Sequence, residues 1–433
     1  MVDVADVKVW GDLLGAVRWD DRQQLAFFQY APNVLKRNWD LSPIKMPLSQ
    51  GSRIFSFPEL RSTQTNTYAT FNGLPGLLAD ALPDRYGNQL INAWLVKQGR
   101  AEHSMNPVEK LCFIGSRAMG ALEFEPAQIN LGNSSFSVEI DSLIDIAQKM
   151  LYEREAFTTN LSNNKKKAVQ DLLKIGTSAG GARPKAVIAY NPKTGEVRSG
   201  QGNVPKGFEH WLIKMDGVSY EQFGENSGWG RVEYAYYLMA KDCNIEISES
   251  RLLEENDRAH FLTKRFDRDG NVKHHIQTLC GLQHYDYNDM YSYSYEQIFQ
   301  TMRQLYLTYP EAEQMFRRMV FNVLAANYDD HTKNFSFLLK KNENWRLAPA
   351  YDLCFSYDST NHWVNQQTLS VNGKRLGIEM KDLLTIADAN SIKRGEFIIR
   401  EINEVIKSWK FFANKAGVRA DLTKRIQDKL NVF

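Results

Sequence analysis

An aspartate and an asparagine separated by four residues, Asp329 and Asn334 in the run Asn327-Tyr328-Asp329-Asp330-His331-Thr332-Lys333-Asn334, have the residue types and spacing of a phosphoryl-transfer loop. In such a loop the carboxylate accepts the proton of an attacking hydroxyl, and the asparagine side-chain oxygen holds Mg²⁺. A second carboxylate, Asp352, would complete the metal site. The apolar runs 335–339 and 345–347 predict a hairpin that carries the chain out and back to the same place. Taken alone, the loop also reads as a polar turn capping a helix, because the spacing arises by chance in a chain of this length.

Such chemistry requires a cradle for phosphates and a fixed cation upstream. The stretch Gly176-Thr177-Ser178-Ala179-Gly180-Gly181-Ala182-Arg183-Pro184-Lys185 is glycine-rich and feeds a predicted strand over 186–190. Glycine lets backbone N–H groups approach phosphates closely. The order matches neither a Walker loop nor G-x-G-x-x-G, so a surface turn stays open as the alternative. Trp211-Leu212-Ile213-Lys214 ends an apolar run in a lysine, as a strand lysine that reaches nucleotide phosphates would; an ordinary edge-strand lysine is the bland reading. Helical spacing of Val232, Tyr236, Met239 and Ala240 predicts a helix over 231–241, with Glu233 either a partner for Lys214 or simply solvated. The run 260–268 alternates like a strand and then turns polar, as a hinge would.

The other elements frame these. Strands are predicted over 7–10, 13–19 and 24–30, punctuated by turns, and Gly73-Leu74-Pro75-Gly76 leads into a helical apolar pattern through Leu77, Leu82, Leu90 and Leu95. A helix is predicted over 142–154. His274 and His275 are neighbours on an extended run and point to opposite faces, which argues against a shared metal. The tyrosine-rich stretch 285–295 reads as an exposed loop. Pro310 suits the first turn of an amphipathic helix over 311–326, which delivers the chain to the catalytic stretch. From 378 to the end the pattern is mostly helical, with breaks near Asn390 and Gly417.

The chain's 433 residues predict two or three domains, and 43% hydrophobic with 24% charged residues mark an ordinary globular protein. The net charge of +2 gives no argument for nucleic acid as the main partner. The basic excess after Lys393 reads as solvated helix faces. Four scattered cysteines, Cys112, Cys243, Cys280 and Cys354, offer no metal knuckle and are expected to be buried thiols. The acidic N-terminus and the lack of a long apolar run predict a cytoplasmic protein with no membrane partner.

Together these motifs, in working order along the chain, resemble the HipA serine/threonine kinases, the toxin halves of bacterial toxin-antitoxin pairs. The matching residues are Ser178, Gly181, Ala182 and Lys185; Leu212-Ile213-Lys214; Arg265-Phe266-Asp267-Arg268; Asp329, His331, Lys333 and Asn334; Tyr351-Asp352; and, nearer the N-terminus, Asn72-Gly73-Leu74-Pro75 and Gly115 with Gly120-Ala121-Leu122. The resemblance implies an α+β, two-lobed protein-kinase-like fold with an α/β N-terminal part and a mainly helical C-terminal lobe. Its segments would be an accessory subdomain over 1–133, an N-lobe over 134–262 and a C-lobe over 263–433.

It further implies ATP and Mg²⁺. Asp329 would be the catalytic base, assisted by His331 and Lys333. ATP would be held by Ser178, Ala179, Gly180, Gly181, Ala182, Arg183, Lys185, Lys214, Glu233, Lys264, Arg265, Phe266, Asn334 and Asp352, with Asn334 and Asp352 as metal ligands. Ser178 would be an autophosphorylation site. The implied partners are a HipB-like helix-turn-helix antitoxin, operator DNA through that complex, and a glutamyl-tRNA synthetase-like protein substrate. The sequence departs from the family in having Asp330 where glycine is common and Arg183 where glutamine is common. No Phe-Gly follows Asp352, and an Ala-Pro-Glu segment is not evident. A small-molecule kinase and a catalytically silent co-repressor are the competing functions.

Overall fold

The computed structural model describes residues 2–37, 39–62, 70–127, 184–216 and 228–433, with the isolated positions 138, 140 and 176. The predicted helix over 142–154 and the glycine-rich residues 177–183 lie outside the described residues. The chain divides into two compact units: Met1–Asn226 with Leu262–Ile276 and Lys340–Asn342, and Ser227–Phe261 with Gln277–Leu339 and Glu343–Phe433.

The first unit opens with an antiparallel sheet of order β3-β2-β1-β4, built from β1 (Val4–Val9), β2 (Asp12–Asp20), β3 (Leu25–Tyr30) and β4 (Leu122–Glu125). The predicted strands appear within a few residues of their expected bounds. Alternation explains the pairing: Ala5, Val7 and Val9 of β1 are buried while the residues between them are more exposed, so one face seeks a core. The apolar run after Pro75 forms two helices rather than one, Gly76–Ala79 and Arg85–Lys97, since Pro83 cannot donate and biases Leu82 away from helical geometry. Asp84 caps the second helix by accepting from Gly87 N.

A second sheet contains β5 (Lys185–Tyr190), β6 (Val197–Ser199) and β7 (Glu209–Lys214). β5 lies between β6 and β7, antiparallel to both, and its first five residues are buried. A buried strand of this kind reads as a continuous apolar run, as Ala186-Val187-Ile188-Ala189 does.

The second unit is mainly helical. Its helix Tyr309–Leu324 starts with a reciprocal cap between Thr308 and Glu311 and has Pro310 in its first turn. Met315, Phe316, Met319, Val320, Phe321 and Leu324 are fully buried, each worth about 1.5–3 kcal/mol of apolar burial. Helices Met380–Ala389, Gly395–Lys407, Trp409–Lys415 and Ala420–Gln427 follow, broken at Asn390 and Gly417 as expected, and again at Ser408. The expectation for the tyrosine-rich stretch is corrected: Tyr291 is exposed, but Tyr285 and Tyr293 stack at 4.5 Å, and Tyr295 is completely buried at the start of helix Tyr295–Gln304. Its hydroxyl finds a buried partner, which lets the ring bury without loss. All four cysteines are buried free thiols.

Candidate active site

Helix Tyr309–Leu324 ends at Leu324, and the chain turns sharply at Ala326, whose φ is +51°. That turn starts the candidate catalytic stretch. Tyr236 O–H donates to Ala325 O at 2.6 Å, and Ser356 N donates to Ala326 O at 3.1 Å, so both sides of the turn are tied down. Asn327 and Ser356 form a parallel bridge.

Within the loop, Asn334 Nδ2 donates to the carbonyl oxygen of Asp329 at 2.6 Å. A carbonyl can only accept, which fixes the amide with its nitrogen inward and leaves Oδ1 as the acceptor for something else. His331 Nε2 lies 3.8 Å from Asp329 Oδ1. The Asp329 side chain is about half exposed, 49%, open enough for an incoming hydroxyl to reach it.

The predicted hairpin is present, with Phe337 opposite Leu347. Beyond it Ala350 N donates to Glu246 O at 2.7 Å and Tyr351 O–H donates to Lys333 O at 2.6 Å. These bonds set Tyr351, and hence Asp352, against the end of the catalytic loop. Asp352 has φ +55°, a left-handed conformation that side chains other than glycine, asparagine and aspartate avoid. Oxygen donors from an amide and a carboxylate suit a hard cation such as Mg²⁺, whose other positions are filled by phosphate and water. The free Oδ1 acceptor of Asn334 meets that requirement, so the residues present fit the ion.

Sequence reasoning missed four participants. Tyr287, from the tyrosine-rich stretch, lies with its ring 4.5 Å from Lys333 Nζ and 5.4 Å from the His331 ring. Tyr295 and Asp330 form a buried pair, described below. Asp84, the helix cap, places Oδ2 4.0 Å from the Lys185 ammonium, and both are buried. A Pro83-Asp84 pair ahead of an apolar helical run is the signal that could have marked it as a cap.

In the first unit Lys185 and Lys214 are directly opposed across β5 and β7, so they share one face of the sheet. Lys185 is 3% exposed and Lys214 half-buried. Lys264 Nζ is 2.6 Å from Glu209 Oε1, and Phe266 follows at the polar break. The Arg265 guanidinium is buried and paired with Asp267 at 2.7 Å. In the second unit Glu233, on helix Trp229–Asp242, is 2% exposed, which corrects the solvated alternative. Ser178, Ala179, Gly180, Gly181, Ala182 and Arg183 lie outside the described residues. Gly176, just before them, packs where a Cβ would come 2.7 Å from Leu90 Cδ1.

Mixed α/β units, one carrying a strand lysine pair and the other an ordered Asp-x-x-x-x-Asn loop beside a second aspartate, define a protein of kinase-related architecture. Residues 177–410 match the family model of the HipA-like C-terminal domain, and residues 5–125 match that of the HipA N-terminal domain. The chain belongs to the HipA family.

A Haemophilus influenzae protein named "Putative kinase" is 29% identical over 193 residues, 41% of this chain and 52% of the relative. The Sinorhizobium fredii "Putative kinase Y4dM" is 23% identical over 155 residues, 33% of this chain and 36% of the relative. The chain thus spans about half, or less, of the length of these relatives. A solved structure, the Shewanella oneidensis MR-1 toxin-antitoxin complex of HipA, HipB and operator DNA, matches with a TM-score of 0.66 at 15% identity, covering 98% of this chain and 95% of that one. That likeness shows the HipA-like α+β fold expected from the sequence. Among the described residues no helix is long and apolar enough to cross a membrane.

Proposed function

We propose that this protein is an ATP- and Mg²⁺-dependent serine/threonine protein kinase, the toxin of a toxin-antitoxin pair. The observation that carries the reading is the Asn334 amide bonded to the Asp329 carbonyl, which orders a carboxylate and an oxygen ligand in one loop. Asp329 accepts the proton of the acceptor hydroxyl at a carboxylate oxygen as that hydroxyl attacks the γ phosphorus, and the bond from phosphorus to the bridging oxygen breaks to release ADP. His331 and Lys333 stabilise developing charge beside it. Lys214 and Lys185 bind phosphate oxygens, and the family resemblance adds Glu233 and residues 178–183 to the ATP site. The backbone around Lys264, Arg265 and Phe266 holds the adenine. Mg²⁺, held by Asn334 and Asp352, offsets phosphate charge when bound. Positioning and electrostatics supply most of the rate in such chemistry.

The same reading includes a HipB-like antitoxin, operator DNA bound through it, and a glutamyl-tRNA synthetase-like substrate. The family resemblance and the partners in the Shewanella complex support the antitoxin and DNA; the family resemblance alone supports the substrate. The three-segment division at 133 and 262 belongs to this proposal too. Phosphate on Ser178 would add about −1.5 to −2 charges beside the triphosphate and switch the enzyme off. Incubation with γ-labelled ATP, Mg²⁺ and cell extract, followed by identification of labelled species, tests the assignment. A labelled serine or threonine in a protein is expected; label only in a small metabolite, or none, overturns it. Mass spectrometry of Ser178 in active and Asp329→Ala protein, with ATP binding measured in each, tests the switch.

A further inference from the structure

Two adjacent carboxylates occupy the catalytic loop, and the structure gives them different surroundings. Asp329 is half exposed; Asp330 is wholly buried. Asp330 Oδ2 accepts from Tyr295 O–H at 2.7 Å, and Oδ1 accepts from the backbone N–H of Thr368 at 2.7 Å and of Leu369 at 3.3 Å. The Tyr295 hydroxyl in turn accepts from Asn322 Nδ2 at 2.9 Å, and Asn322 Oδ1 accepts from Asn327 Nδ2 at 2.9 Å. A closed path of buried hydrogen bonds therefore joins the first residue of helix Tyr295–Gln304, the last turns of helix Tyr309–Leu324, the start of the catalytic loop and the backbone at 368–369. Thr368 Oγ1 also donates to Tyr328 O at 3.0 Å, immediately before Asp329.

We infer that Asp330 is a positioning residue, whose buried carboxylate, with Tyr295 as its side-chain partner, fixes the peptide that carries Asp329. This inference rests on the kinase reading of Asp329. The physical reason is that a buried acceptor is costly to leave unsatisfied, so the loop has one pose in which all three donors are met. Other loop poses would strand the carboxylate or the Thr368 and Leu369 N–H groups. The groups facing Asp330 are Tyr295, Tyr328 and Arg375. None of them forms an ion pair with it among the described residues. Burial pushes its carboxyl up to about 7, against the pull of the three hydrogen bonds. All three partners donate to Asp330 and the Tyr295 hydroxyl already accepts from Asn322, so an added proton would find no acceptor among them and the pose suits the carboxylate form.

The test compares wild type, Asp330→Asn and Tyr295→Phe in the full chain. Expected is a fall in kcat of about 10- to 100-fold in each with the KM for ATP nearly unchanged, the size that a small misplacement of a reacting group produces. Wild type is expected to show kcat rising with pH near neutrality, and Asp330→Asn to lack that rise. Backbone amide exchange over 327–334 should quicken in both variants while each retains a cooperative melt. Unchanged exchange and kcat in Tyr295→Phe overturns the inference even if Asp330→Asn does not fold. Parallel loss of kcat and ATP affinity overturns it as well, since that marks general damage. If wild type transfers phosphate to no acceptor, the kinase reading falls, and amide exchange alone decides whether Asp330 holds the loop.

Discussion

Asn334 and Asp329 touch through side chain and backbone rather than through their side chains: the Asn334 amide nitrogen bonds the Asp329 carbonyl oxygen at 2.6 Å. The carboxylate proposed to meet the acceptor and the amide oxygen proposed for the metal are thus separate groups on a backbone held together at this bond. The two roles can be removed separately by mutation.

Asp329→Ala removes the carboxylate without touching that carbonyl. Phosphate transfer should fall by about 10² to 10⁴, the usual contribution of a positioned general base, with ATP affinity largely kept. Rapid-quench transfer assays beside calorimetric ATP titrations measure both. Near-normal transfer would move the base elsewhere.

Asp352→Asn, by contrast, should weaken ATP binding in a Mg²⁺-dependent manner as well as slow transfer, because a neutral amide is a poorer ligand for a hard cation. The check is an ATP titration repeated across a Mg²⁺ series. Affinity that responds to Mg²⁺ as in wild type would assign the ligand to another residue.

Asp267 is a structural counterpart. It is 1% exposed and accepts from Arg265 Nε and Nη2, Arg268 Nη1 and Gly120 N at 2.6–2.9 Å. Burial alone would raise its carboxyl, but the Arg265 and Arg268 guanidiniums and the hydrogen bonds hold it well below the usual range. A depressed folded value means the stabilisation is present above the unfolded value of about 3.9 and disappears as pH falls through the folded one. Asp267→Asn leaves two buried cations uncompensated and should cost about 3–5 kcal/mol at neutral pH. Urea unfolding at pH 7 gives the loss, and the same melts at lower pH should show the variant and wild type converging.

Gly230→Ala tests close packing in the second unit. A Cβ at Gly230 would stand 2.1 Å from Ala259 O, a backbone atom that cannot swing aside. Helix Trp229–Asp242 must therefore shift, at a cost of about 1–3 kcal/mol. Thermal melts report it; an unchanged midpoint would show that the helix and strand Arg258–Lys264 separate freely.

The candidate catalytic loop was legible in the sequence because its residues are local. Asp329, His331, Lys333 and Asn334 lie within one turn of chain, and the hairpin to Asp352 is marked by apolar runs and polar breaks. Strands such as Ala186–Tyr190 and the helix ending at Leu324 were visible for the same reason, since periodicity records which face is buried. What stayed hidden depends on partners distant in the chain. Tyr295 is one tyrosine among several in a polar stretch, and only its bond to Asp330 separates a core residue from a loop residue. Asp330 itself is a second aspartate beside the first, and nothing in its spacing shows that its acceptors are satisfied by residues 368 and 369. Asp84 went unremarked as the neighbour of Lys185, because that pairing is made by the folding of a helix onto a sheet.

The left-handed backbone at Asp352 sets the assigned metal ligand against the fold that carries it. An L-residue in that conformation costs on the order of 1 kcal/mol, and glycine relieves the cost. Asp352→Gly should therefore melt no lower than wild type, and possess a comfortable backbone, while losing Mg²⁺-dependent ATP affinity. Drift under selection for stability alone would erode this position toward glycine. If the proposed ligand role holds, loss of the aspartate at residue 352 ends Mg²⁺-dependent binding while leaving the fold intact, so the two can be lost independently.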